Sequence, residues 1–226
     1  MLKRDRKSLH IFNKTKNFIK ILFYAFVMAE QFLVPLEQYL KVGIHIGTKF
    51  RTKYMEPFIY KVRPDGLAVL NVQEIDKRIG IAAKMLSKYE PNSILVVGRR
   101  ENSWKSVEMF AKATGIRVLI KRYPPGILTN QDLEDFTEIK LLFATDPIPD
   151  KNAVRDAVKI GIPVIALCDT NNEANYVDLI IPCNNKGKKS LGLIFWILAK
   201  EYLRLKGVIK SEQEMKYSVD DFSDEE

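Results

Sequence analysis

Cysteine and histidine are almost missing from this chain, with two of each in 226 residues: Cys168 and Cys183, His10 and His45. There is no CxxC, and fourteen residues separate the cysteines, so neither a zinc site nor a disulfide framework can be argued. Each cysteine lies in or beside an apolar run and reads as a small buried hydrophobe, in keeping with a reducing compartment such as the cytosol. The glycine patterns of nucleotide binding are absent too. No GxGxxG, no GxxxxGK followed by Ser or Thr, and no nucleophile elbow occurs, and His45 has no evident Ser or Cys partner. The basic start (Lys3, Arg4, Arg6, Lys7) and the apolar stretch at 21–29 imitate a secretory leader. That stretch is far short of the roughly 20 residues that span a bilayer, so no membrane partner is expected.

At 46% apolar and 28% charged content, the chain has the material for one good-sized core. Its net charge of +8 is uneven, because residues 1–27 carry seven Lys/Arg against one Asp and residues 28–226 carry 29 against 27. Met28 opens MAEQFLVPLEQYL, which reads as a natural start. Residues 1–27 are therefore set apart as an N-terminal extension, 28–209 as an α/β domain and 210–226 as an acidic C-terminal tail. Without the acids at its end, the body carries its positive charge in a few loops, a pattern that favours an anionic partner.

The strongest cluster is residues 41–63, KVGIHIGTKFRTKYMEPFIYKVR, in which six Lys/Arg face one acid, Glu56, and Phe50, Tyr54, Phe58 and Tyr60 lie between them. Cations release counterions from a phosphate backbone, rings stack on exposed bases, and the glycines around His45 permit close approach. A solvated hairpin over a core would carry similar residues. Lys49, Arg51, Lys53, Lys61 and Arg63 are the candidate RNA contacts here, with His45 as a hydrogen-bonding or stacking group. Further basic tips stand at Arg99 and Arg100, at Arg122 in KRYPPG, and at Lys186, Lys188 and Lys189 in NNKGKKS. The last motif opens a helix, whose amides and dipole suit a phosphate.

Short apolar runs at 67–71, 94–98, 117–121, 141–146, 164–169 and 179–182 have the length and composition of strands buried on both faces of a parallel sheet. Between them, Ile75, Ile79, Ala82, Leu86 and Tyr89 trace a helical face, as do Trp104, Val107, Phe110 and Ala111, then Ala153, Val154, Ala157 and Val158. Asn102 and Asp150 are the expected N-caps. A short helix after Pro35 places Leu36, Tyr39 and Leu40 on one face and stops at Gly43, while the stretch 189–206, apolar around most of its circumference, predicts the most buried helix. The alternation predicts a doubly wound three-layer αβα domain with a mainly parallel sheet. An enzyme of that architecture would use Asp146 (TDP) and Asp169 (CDTNN), at strand ends, as paired carboxylates for Mg²⁺ or acid/base work. The alternative is that Asp before Pro or Thr caps a turn.

The ordered elements LVPLEQYLKVGIHIGT, FIYKVRPDGLAVLNVQEIDKRI, ILVVGRRE, RYPPGILTN, ATDPIPDKNAVRDAVKIGIPVIALCDTN and YVDLIIPCNNKGKKSLGLIFWILAKEYL closely resemble the S-two family of small ribosomal subunit proteins in its archaeal form. The resemblance runs from about Phe32 to Gly207. It implies a flavodoxin-like domain that binds ribosomal RNA beside neighbouring ribosomal proteins, without catalysis, cofactor, metal or small-molecule substrate. It also implies RNA contacts at His45, Lys49, Arg51 and Lys53 and around Lys61, Arg63 and residues 186–189. Two departures stand out: the long coiled-coil insertion of bacterial members is missing, and residues 1–27 have no counterpart.

Overall fold

A computed structural model describes residues 32–210 and 214–223. The extension through residue 27 and the start at Met28 lie outside the described residues. Five strands form one parallel sheet: β3 (Ile94–Gly98), β4 (Arg117–Ile120), β5 (Leu141–Ala144), β6 (Val164–Cys168) and β7 (Leu179–Pro182). Their spatial order is β4-β3-β5-β6-β7. Every residue of β3, β5 and β6 is buried, which is why these strands read as unbroken apolar runs.

The chain winds outward in both directions from the β3/β5 pair. Right-handed crossovers then place α3 (Glu101–Thr114), between β3 and β4, and α4 (Lys151–Lys159), between β5 and β6, on opposite faces. Helices α2 (Val72–Ser87) and α3 both pack on α5 (Lys188–Leu205), whereas α4 packs on β5 and β6. Thirteen of the eighteen residues of α5 are buried, so it is the central helix that its composition predicts. Phe195 of α5 lies with its ring centroid 5.5 Å from Phe110 of α3 and 5.8 Å from Phe143 of β5, joining two helices and the sheet in one tilted aromatic cluster.

Several local expectations change. The run at 67–71 does not join the parallel sheet; β2 (Ala68–Leu70) pairs antiparallel with β1 (Ile59–Val62) in a separate two-stranded ribbon. The cause is the turn between them: Arg63 N–H donates to the Leu67 carbonyl, Asp65 Oδ1 accepts from Leu67 N–H, and Gly66 takes φ +86°. Asn102 is not the N-cap of α3. Arg100 holds that position and Asn102 Nδ2 donates to the Lys186 carbonyl. Asp150 does precede α4, but its carboxylate turns away from the helix and accepts from Arg99 N–H, Thr145 Oγ1 and Asp146 N–H. In α1 (Leu36–Lys41) only Tyr39 is buried; Leu36 and Leu40 stay exposed.

The C-terminal stretch 214–223 carries more than its acids. Phe222 is fully buried, its carbonyl accepts from Ser106 Oγ of α3 (2.8 Å), and Trp196 Nε1 of α5 donates to the Tyr217 carbonyl (2.9 Å). Gly192 makes the contact possible, since a Cβ there would stand 3.1 Å from the Phe222 oxygen.

Candidate nucleic-acid interface

In an open α/β sheet, ligands sit outside the carboxyl ends of the strands where the winding reverses, here between β3 and β5. That crevice is filled by the protein's own side chains. Asp146, fully buried at the end of β5, accepts from Arg100 Nε at 2.6 Å, from Asn172 Nδ2 at 2.8 Å and from Ile148 N–H at 3.0 Å. Asp169, after β6, is equally buried; it accepts from Thr170 N–H at 2.6 Å and from Lys186 Nζ at 3.0 Å, and the same ammonium donates to Asn171 Oδ1. Asn172 ties the two carboxylates together, since its Oδ1 accepts from Asp169 N–H at 2.7 Å while its amide donates to Asp146. Both carboxylates therefore have their acceptor sites occupied, and neither faces an open cleft where a substrate or metal could reach it. Asp150 lies behind them, where burial pushes its carboxyl up to about 6, aided by the neighbouring Asp146 charge.

Beside this closed crevice stands the basic and aromatic segment. Its turn is bolted to the loops after β6 and β7. Thr48 N–H donates to Thr170 Oγ1 (2.9 Å), Thr52 N–H to the Thr170 carbonyl (3.0 Å), Thr52 Oγ1 to the Asn172 carbonyl (2.7 Å), and Asn184 N–H to the Ile44 carbonyl (2.8 Å). The second glycine of GIHIGT has a packing cause: a Cβ at Gly47 would lie 2.4 Å from Thr170 Cγ2. Met55 and Phe58 are buried beneath the turn, and the Arg78 guanidinium lies 5.0 Å over the Phe58 ring.

What points outward is cationic and aromatic. Lys49, Arg51, Lys53 and Lys61 are exposed, and among the described residues none of them is in an ion pair. Phe50 is 79% exposed, Tyr60 69% and Tyr54 50%, with Tyr54 aimed by the hydrogen bond its hydroxyl donates to Asn175 Oδ1. Arg63 is exposed and pairs with Asp65 at 3.3 Å. His45 is half-buried; its Nδ1 has no partner among the described residues, and desolvation lowers its pKa, so the imidazole is neutral at pH 7.

The remaining basic candidates also lie at the carboxyl ends of the strands: Arg99, Arg100, Arg122 and Lys186 in the segments after β3, β4 and β7, and Lys188 and Lys189 in the first turn of α5. Arg99, Arg122, Lys188 and Lys189 are exposed, whereas Arg100 and Lys186 are half-buried by their pairs with Asp146 and Asp169. Sequence reading missed the organising residues Thr170 and Asn172. Both lie in the CDTNN motif, whose polar residues after an apolar strand are the signal that could have found them.

The fold and the filled crevice define an α/β scaffold whose ligand cleft is occupied by its own side chains and whose rim at that end carries basic loops. A family model described as ribosomal protein S2 matches residues 39–137 and 131–204. The chain is 52% identical over 190 residues to the small ribosomal subunit protein uS2 of Nanoarchaeum equitans, covering 84% of this chain and 94% of that one. It is 47% identical over 195 residues to the protein of the same name from Thermoplasma acidophilum (86% and 98%), and 50% over 194 to that of Pyrobaculum islandicum (85% and 94%). The chain belongs to the ribosomal protein S2 family, as its sequence motifs imply.

Proposed function

We propose that this protein is a structural, non-enzymatic constituent of the small ribosomal subunit in the cytoplasm, docked on ribosomal RNA and against neighbouring ribosomal proteins. The observation that carries the RNA contact is the segregation of charge at one end of the sheet. Arg100 and Lys186 are held by buried carboxylates, while Lys49, Arg51 and Lys53 stand free of any acid on a turn fixed to the scaffold, with Lys61 of β1 over the Tyr60 ring beside them. Free cations on a rigid support release counterions from a phosphate backbone without first losing an internal partner. Arg63, Arg99, Arg122, Lys188, Lys189 and the neutral His45 extend the surface, with Arg100 and Lys186 at its inner margin.

No helix among the described residues is long and apolar enough to cross a membrane. A small-molecule enzyme built on Asp146 and Asp169 would need the crevice that Arg100, Lys186 and Asn172 fill. The test is co-sedimentation of the full chain with archaeal small subunits. Stoichiometric association that is lost progressively with salt is expected; a protein that stays in the supernatant at low salt would refute the reading.

A further inference from the structure

The acid of the basic segment is out of place on a surface for phosphates. Glu56 is exposed, and among the described residues no cation pairs with its carboxylate, although Arg51 and Lys53 are close in the same turn. An unpartnered carboxylate there repels a backbone unless it meets hydrogen-bond donors.

Glu56 lines an open recess of about 410 Å³ together with Arg51, Thr52, Lys53 and Ile59. The floor is rigid. Thr52 is fixed to the Thr170 and Asn172 carbonyls, the Thr52 carbonyl accepts from Met55 N–H (3.1 Å) and Glu56 N–H (3.2 Å), and Met55 and Phe58 are buried below. The exposed rings of Phe50 and Tyr60 belong to the chain neighbours of two lining residues, Arg51 and Ile59. The recess thus combines two cations, one acceptor and an aliphatic wall, with the exposed Phe50 one residue before Arg51 in the chain.

We infer that this recess takes one unpaired purine of RNA, a guanine, with Glu56 accepting from its N1–H and exocyclic amino group. Arg51 and Lys53 hold the flanking phosphates, and Phe50 or Tyr60 stacks on the base or its neighbour. Guanine is the one common base that offers two adjacent donors to a carboxylate, and stacking on rings is how unpaired bases are gripped. This deepens the RNA-docking reading above and rests on it.

The test titrates the full chain against fluorescently labelled octauridylate carrying one central guanosine, inosine or uridine, at several salt concentrations. The guanosine probe should bind about ten-fold more tightly than octauridylate, and inosine, which lacks the exocyclic amine, should lose most of that preference. Glu56→Gln should shrink the preference to less than about two-fold while leaving affinity for octauridylate equal or higher, as the loss of a repelling charge requires. Arg51→Ala should weaken all three probes alike. Equal affinities for the three, or a guanosine preference that survives in Glu56→Gln, would overturn the recess. If the octamers bind alike and Arg51→Ala lowers the salt dependence, the recess fails and the docking surface stands. If no octamer binds and Arg51→Ala leaves binding to small-subunit ribosomal RNA unchanged, both fail.

Discussion

Two groups of cations stand at the same end of one sheet and have opposite fates. Arg100 and Lys186 each lean on a fully buried carboxylate, Asp146 and Asp169, and close the crevice where α/β proteins usually hold a ligand. Lys49, Arg51 and Lys53 project from a turn, and Lys61 from the adjoining strand β1; the turn is held through Thr48, Thr52, Tyr54 and the Ile44 carbonyl, and none of these cations is paired with an acid among the described residues. Residue type does not separate the groups. What separates them is the presence of a buried acid within reach, so one set is tied into the fold and the other is left exposed to solvent, where the proposed docking would use it.

The comparison breaks most visibly at Asp146. Asp146→Ala leaves the Asn172 amide and the Ile148 N–H without an acceptor; Arg100, partly exposed, recovers water, which keeps the loss to about 3 kcal/mol in urea unfolding of the full chain. Next comes the pH dependence. Asp150 is protonated up to about pH 6 in the folded protein against 3.8 as its ordinary value, so the folded state binds the extra proton between those limits. The Asp150 contribution to stability is then fullest below about pH 4 and is lost as pH rises through about 6, by on the order of 2–3 kcal/mol. The matching measurement is the urea midpoint from pH 4 to 7; in Asp150→Asn that decline should flatten.

A smaller effect is expected at the junction of the two groups. Gly47→Ala drives a methyl into Thr170 and lifts the turn from its anchors, costing about 1–3 kcal/mol and weakening RNA binding with all four cations still present. Smallest of all, the triple change of Lys49, Arg51 and Lys53 to Ala should move the unfolding midpoint by less than about 0.5 kcal/mol, because exposed, unpaired side chains add little to stability.

Much of the scaffold was legible. ILVVG and LIIP match β3 and β7 residue for residue, and the apolar circumference of LGLIFWILA correctly marked the buried helix, because burial on both faces leaves a plain compositional trace. LAVLN misleads for the same reason: an apolar run records burial and not the sheet it joins, and it is the PDG turn before it that assigns it to a hairpin. The basic rim was legible as a list of residues. Its division was not, since Arg100 meets its acid 46 residues away and Lys186 meets its own 17 away, distances over which a sequence carries no pairing signal without the fold. Phe222, one ring among acids, gave no sign of its buried seat.

The central claim is that the free cations of the turn hold RNA while the paired ones hold the fold. It is tested most directly by the salt dependence of binding to small-subunit ribosomal RNA, wild type against the Lys49, Arg51 and Lys53 triple Ala variant. Three lost phosphate contacts predict that the slope of log affinity against log salt becomes shallower by about 2, with unfolding unchanged. An unaltered slope, at unaltered stability, would contradict the account.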